Sequence, residues 1–492
     1  MKRAYFILIA LCCGLTSCQK FDEINENPNS PRETHPQLLL TQIEWDAFRS
    51  FQGREPLYVN KMLVKTDGES SGQYYKWTRG DFSFLDMRNV QKMMEEAERV
   101  EEPCYVALGK FFRAHYLYCM ALQFGDIPYS EALKGESDGI YTPAYDDQKA
   151  VFAGVLQELE EANELLKGEN TIIRGDIIYS GSTDQWRKLV NVFRLKILLS
   201  LSQKEADADL DVKSRFAAIV QSEPLMQGIQ DNGQVVYVDQ EGNRYPEFNS
   251  SDYGSGMYID STFIRRLQEH KDPRLFIFCT QTKDAKEAGK ALNDFTAYEG
   301  GDPAAPYGMV NQKATEGKVS KVLERYYQDP TCEPSVLLGY SELQLMLAEA
   351  AVRGWISEDA NAYYQNGVKA SFKFYETYAK GLGQYVSEAA AEAYLSETVN
   401  DLSQKTTTTE KIEAIILQKY FQSFLQGKWT PFFDALRTGY PEYRRPAGVE
   451  LPFRWMYPQS EYDYNAKNVT DAIKKQFGEG NDKINQKTWW LK

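Results

Sequence analysis

Residues 102–124 read EPCYVALGKFFRAHYLYCMALQF, and in them Tyr105, Leu108, Phe112, Tyr116 and Leu117 recur at three- and four-residue spacing. That is helical periodicity, and it predicts a half-buried helix. The pattern returns over 146–166 with Val151, Val155, Leu159, Ala162 and Leu166, behind Asp146-Asp147, residues suited to a helix start. It returns again from Asp184, with Trp186, Leu189, Phe193, Ile197 and Leu201. A second helical block follows over 340–352, 359–378, 386–395 and 409–426. Three of these helices share an opening: Tyr105-x-x-Leu108-x-x-x-Phe112, Trp186-x-x-Leu189-x-x-x-Phe193 and Tyr340-x-x-Leu343-x-x-x-Leu347. Such openings mark the first helix of a tetratricopeptide repeat, although any amphipathic helix accommodates them and the regular repeat period is not kept.

Between the blocks the chain changes character. Over 227–260 and 280–319 it is rich in Gly, Asn, Tyr and Pro, with short strand-like pieces such as 234–238. Asn249-Ser250-Ser251-Asp252-Tyr253-Gly254-Ser255-Gly256 reads as loop, and the aromatic tail over 440–492 reads as irregular. Loops of this length in a compact domain are usually functional. The expected architecture is mainly α, a helical frame carrying large irregular loops.

The N-terminus sets the compartment. Met1-Lys2-Arg3, an apolar run over 4–14 and then Leu15-Thr16-Ser17-Cys18 form a basic, apolar and small-residue series typical of bacterial export. A Cys directly after Leu-Thr-Ser makes it a lipoprotein signal, with Cys18 acylated as the new N-terminus. The run falls short of the about 20 apolar residues that cross a bilayer. Residues 1–17 are thus expected to be removed, 18–36 to form a lipid-anchored tether of Asn, Pro and Glu, and 37–492 to form the ligand-binding domain. Acidic residues after the lipidated Cys, Asp22 and Glu23, resemble the surface-export signal of lipoproteins in the Bacteroides group.

Composition excludes several functions. The net charge of −14 becomes more negative once Lys2 and Arg3 leave, a surface that repels nucleic acid. Only His35, His115 and His270 are present, with no paired-His spacing, and Cys104, Cys119, Cys279 and Cys332 show no Cys-x-x-Cys pattern. Neither a metal site nor a cofactor is expected. The four thiols are read as buried and unpaired in preference to a disulfide.

Motifs for catalysis are weak. Gly68-Glu69-Ser70-Ser71-Gly72 has the GxSxG form, but its flanks, Lys65-Thr66-Asp67 and Gln73-Tyr74-Tyr75-Lys76-Trp77, lack the strand before and helix after that a nucleophile elbow requires. Among 70 acidic residues, no pair is singled out as the acid and nucleophile of a glycosidase. Aromatic loops carry more. Tyr74, Tyr75 and Trp77 lie together between Gly72 and Gly80, and Tyr298 and Tyr307 flank Gly300-Gly301-Asp302-Pro303. Exposed rings beside polar groups would form a platform for oligosaccharide, and would serve an extended oligopeptide nearly as well. The competing reading is that these rings cap the loop core.

The order of short phrases also carries a resemblance. Phe21-Asp22-Glu23-Ile24-Asn25-Glu26-Asn27-Pro28-Asn29 is followed by Gly125-Asp126-Ile127-Pro128-Tyr129, Pro143-Ala144-Tyr145-Asp146 and Asp184-Gln185-Trp186. Then come Asp272-Pro273-Arg274, Ala348-Glu349-Ala350-Ala351-Val352-Arg353-Gly354-Trp355 and the closing Arg444-Arg445-Pro446 to Tyr457-Pro458. This series resembles the SusD/RagB lipoproteins. The resemblance implies an α-helical fold with tetratricopeptide-like helix pairs and a non-enzymatic nutrient-binding lid. The implied partner is a SusC-like TonB-dependent outer-membrane barrel. It transfers no ligand residue, because binding positions in such proteins lie in variable loops.

Overall fold

The computed structural model describes residues 33–49, 54–426 and 429–492. The expected signal peptide, the acylated Cys18 and most of the tether lie outside the described residues. Helices dominate. In chain order they include α1 (Gln37–Arg49), α2 (Phe84–Arg99), α3 (Pro103–Phe124), α4 (Gln148–Leu166), α5 (Thr183–Ser200), α6 (Val212–Ser222) and α7 (Ser261–Glu269). After them come α8 (Tyr307–Thr315), α9 (Tyr340–Val352), α10 (Ala360–Tyr378), α11 (Glu388–Ser396), α12 (Thr408–Gln422), α13 (Thr430–Thr438) and α14 (Ala466–Phe477). Strands are short: β1 (Leu63–Lys65) pairs antiparallel with β3 (Met257–Ile259), and β2 (Gly233–Val235) with β4 (Ser335–Leu338). No helix among the described residues is long and apolar enough to cross a membrane.

Local chemistry explains the helix limits. Pro103 opens α3, where its missing N–H costs nothing, and Gly125 closes it at φ +99°. Ser182, Asp260, Asp359 and Ser387 each accept a backbone N–H at the start of α5, α7, α10 and α11. Thr407 and Glu410 form a reciprocal capping box on α12. Asp146 and Asp147 precede α4 as expected, but neither caps it. Asp146 instead accepts the backbone N–H groups of Tyr129 and Ser130, and Asp147 pairs with Lys475.

Consecutive helices pack as neighbours. α3 lies along α2 and α4, α4 along α5, and α9 along α10. These are the helix pairs implied by the shared openings. α3 is more deeply buried than a half-buried helix, because partners flank it on both sides. At Gly109 a Cβ would come within 2.1 Å of Met94 Cγ, so α2 and α3 approach closely only where the side chain is missing.

Other expectations are corrected. The tail over 440–492 is not wholly irregular, for it contains the helices Gln459–Tyr464 and α14. α14 buries only Val469, Ala472 and Ile473, an apolar stripe too narrow to stand out among the polar residues around it. The loop over 280–319 likewise contains α8, which buries Val310 and Ala314 alone. The last helix of the second block stops at Gln422, short of 426. The main core runs through all the large helices. A small satellite cluster, Val64, Tyr258, Val310, Ala314 and Val319, seats α8 against β1 and β3.

Candidate functional site

The two aromatic loops singled out in the sequence meet in space. Glu55 fixes the first by accepting from Gly72 N at 2.7 Å and from Ser70 Oγ at 3.1 Å. Ser70 is therefore occupied in holding a turn, and no recorded hydrogen bond joins it to a histidine. Gln73 bridges the loops: its Oε1 accepts from Lys65 N at 2.8 Å and its Nε2 donates to Pro303 O at 3.4 Å. Tyr74 Oη donates to Ala305 O at 2.9 Å. The second loop is pinned by the paired bonds Ser261 N to Gly301 O, 2.8 Å, and Gly301 N to Ile259 O, 2.9 Å. A Cβ on Gly300 would sit 2.4 Å from the Ser261 backbone, so only glycine allows this approach.

Most of the named rings are buried and do not face solvent. Tyr74, Tyr75, Trp77 and Tyr298 are 7, 4, 9 and 3% exposed, whereas Tyr307, at the start of α8, is 40% exposed. The expectation of a wide exposed platform is corrected accordingly. Rings of this size bury about 150–250 Å² each, and in Gly-rich loops they fill the space between backbone segments. Their polar ends are satisfied by carbonyls: Tyr75 Oη by Val59, Trp77 Nε1 by Arg454 and Tyr298 Oη by Leu292. Trp77 also stacks on Trp455, centroids 5.0 Å apart.

What faces solvent around Tyr307 is polar. Arg444 grips Asp302 through two bonds of 2.7 and 2.6 Å, and this guanidinium holds the carboxyl below the usual carboxylate range. Lys76 pairs with Glu69 at 2.9 Å, and its ammonium lies 5.4 Å from the Tyr74 ring centroid. The surface thus presents one open tyrosine face, Met309 beside it in α8, and two charge pairs with spare hydrogen-bonding capacity. Sequence reasoning located the loops and quoted these residues but not their pairings: Asp302 and Arg444 are 142 residues apart, which leaves no local pattern, and the Lys76–Glu69 pair sits unremarked within the first loop.

A second concavity, of about 170 Å³, lies between α3 and α5 on one side and β4, α9 and α10 on the other. Its walls are largely apolar, with Tyr118, Phe193, Met346 and Phe374 among them, and Phe433 and Trp490 also line it. Lys196, Glu342, Lys419 and Asp434 line it too. Lys196 is one of the polar interruptions, with Asn191 and Arg194, of the apolar stretch 189–201.

Comparison with known proteins agrees with the architecture. The SusD-like family model, described as starch-binding and associating with the outer membrane, matches residues 28–458. A SusD homolog from Bacteroides fragilis is 54% identical over 94% of this chain and 100% of its own, with a TM-score of 0.89. A protein from Bacteroides vulgatus, provisionally described as an outer-membrane protein involved in nutrient binding, is 54% identical over 93% of this chain and 100% of its own, with a TM-score of 0.90. A second B. fragilis SusD homolog is 34% identical over 93% of this chain and 100% of its own, with a TM-score of 0.86. No curated protein matches the chain. The chain belongs to the SusD-like family.

Proposed function

We propose that this SusD-like protein is a surface nutrient-binding lipoprotein, anchored in the outer membrane through acylated Cys18, that captures oligosaccharide and delivers it to a SusC-like TonB-dependent barrel as its lid. The starch-binding description of the family supports the ligand class. The observation that carries the site is the meeting of the 68–77 and 299–310 segments, which leaves Tyr307 open beside the Asp302–Arg444 pair. A pyranose would stack its CH face on the ring and offer hydroxyls to the carboxylate and guanidinium. Tyr74, hydrogen-bonded to Ala305 O, ties the two loops together beside the ring, so binding loses little conformational entropy. The role is capture and not chemistry: the serine of the GxSxG match is held by Glu55. The lid reading draws on the tether, which keeps the domain at high effective concentration over its barrel.

Calorimetry with maltoheptaose and a broader soluble-glycan panel tests this reading. Tyr307→Ala is expected to weaken binding at least about tenfold, the order of one lost stacking contact. Trp77→Ala is expected to lower the melting temperature first. Unchanged affinity in Tyr307→Ala removes that ring from the site, and silence across the whole panel overturns the oligosaccharide reading.

A further inference from the structure

The cavity between the helices carries charges that the glycan-capturing surface does not use. Lys196 Nζ lies 2.9 Å from Glu342 Oε1, and Lys419 Nζ lies 2.5 Å from Asp434 Oδ2. All four side chains are largely withdrawn from solvent, at 14, 16, 8 and 10% exposed in that order. Glu342 Oε1 and Asp434 Oδ2 receive no aligned hydrogen bond and keep unused capacity, while the other Asp434 oxygen accepts from Arg437 Nη2 at 2.8 Å. Each ammonium has three donors, more than these contacts occupy.

Buried charge with open acceptor and donor positions is costly in an apolar setting, which is a reason to look for a ligand that completes the Glu342 and lysine ends. The spacing of the two pairs narrows the class. Lys196 Nζ reaches Thr430 Oγ1 at 3.5 Å, and Asp434 stands four residues further along the same helix, α13. One helical turn, about 5–6 Å, separates those two positions on α13, so the pairs line neighbouring parts of the same cavity. Two extended residues span at most about 7 Å. The cavity has room for on the order of ten waters, enough for a dipeptide with apolar side chains. The cavity also reaches solvent, since His115, Cys119 and Thr430 at its edge are only partly buried.

We propose that this cavity is a second binding site, for a small zwitterionic ligand of dipeptide size with apolar side chains. The ligand ammonium is taken by one carboxylate and its carboxylate by the lysine of the other pair, while its side chains lie against Tyr118, Phe193 and Phe374. A neutral sugar offers neither charged end and leaves both pairs as they were.

The test uses the mature protein with L-leucyl-L-phenylalanine as probe, by calorimetry and thermal melting, against N-acetyl-leucyl-phenylalanine amide, in which both charges are removed. The free dipeptide is expected to bind and raise the melting temperature, and the capped form to bind at least about tenfold more weakly. Lys419→Met and Glu342→Gln are each expected to lose dipeptide affinity at least about tenfold, while Lys419→Met still binds maltoheptaose if the glycan surface is as proposed above. Equal binding of free and capped peptide overturns the proposal, as does the absence of any response to the free dipeptide at millimolar concentration. The capped comparison needs no variant, so a misfolded mutant does not protect the proposal. Loss of glycan binding alone would bear on the loop surface and leave the cavity standing.

Discussion

Asp126 lies in the Gly125–Tyr129 phrase, and burial pushes its carboxyl up to about 6, against a hydrogen bond from Gln148 N that pulls the other way. The folded chain therefore keeps a proton that the unfolded chain loses near pH 4. Stability contributed at this site is present below that pH and is lost as pH rises towards 6, then stays level. Asp126→Asn keeps the acceptor for Gln148 N and removes the titration. The stability of the native protein relative to this variant is expected to fall by about 2 kcal/mol between pH 4 and pH 7, read from chemical denaturation at each pH. A pH-independent difference would sink the assignment. At the same scale, Arg274 shows what the family-like phrases do. Wholly buried, it bonds Asp272 at 2.6 Å, Ser371 Oγ at 3.0 Å and Gln418 Oε1 at 2.8 Å, joining a middle-region turn to α10 and α12. Arg274→Ala leaves Asp272 buried without its partner and is expected to cost about 3–5 kcal/mol; a loss under one would show that water replaces the guanidinium. Likewise Trp186 Nε1 donates to Asp176, and Glu349 receives Arg437 and Arg353. The phrases are legible as a family because they are the joints of the fold, which is why they say nothing about ligand.

Helices were legible in proportion to the width of their apolar stripe. α3, α4, α5, α9 and α10 bury broad faces, and their periodicity stands out in the sequence. α8 and α14 bury narrow ones and were hidden among loop residues. α8 matters most, since it carries Tyr307 and is seated by the small satellite cluster and by Lys313, which pairs with Glu299. Val310→Ala removes two methyl groups from that cluster and adds back none, a loss of about 1.5 kcal/mol. Hydrogen exchange is expected to quicken across α8 while α3 keeps its protection, and glycan affinity to drop with it. Uniform acceleration over both helices would mean that α8 is not a separable unit.

At the scale of the molecule, the tether and the domain divide the work. In the lipoprotein proposed above, the segment 18–36 would supply attachment and the helical frame the body to attach. Several acyl chains on Cys18, as proposed, would hold far more firmly than one, each buried methylene adding about 0.8 kcal/mol. Cys18→Ala is expected to move the protein from the membrane pellet to the soluble fraction of fractionated cells, with its melting temperature unchanged. Retention in the pellet would show that the domain holds the membrane or its partner without the lipid. Cys104, Cys279 and Cys332 form no disulfide among the described residues, so reduction is not expected to loosen the body.

The sequence by itself determined the helical class, the paired helices, the family, the expected anchor and which two loops to watch. Periodicity and short phrases encode these things, and both are local. Which rings face solvent, which carboxylate meets Arg444 and which lysines line the cavity were decided only by the tertiary structure. A loop tyrosine is buried or exposed according to what packs over it, and at Tyr74 that cover is the backbone of Ala305, 231 residues away. No local rule carries information over that distance; only the folded chain does.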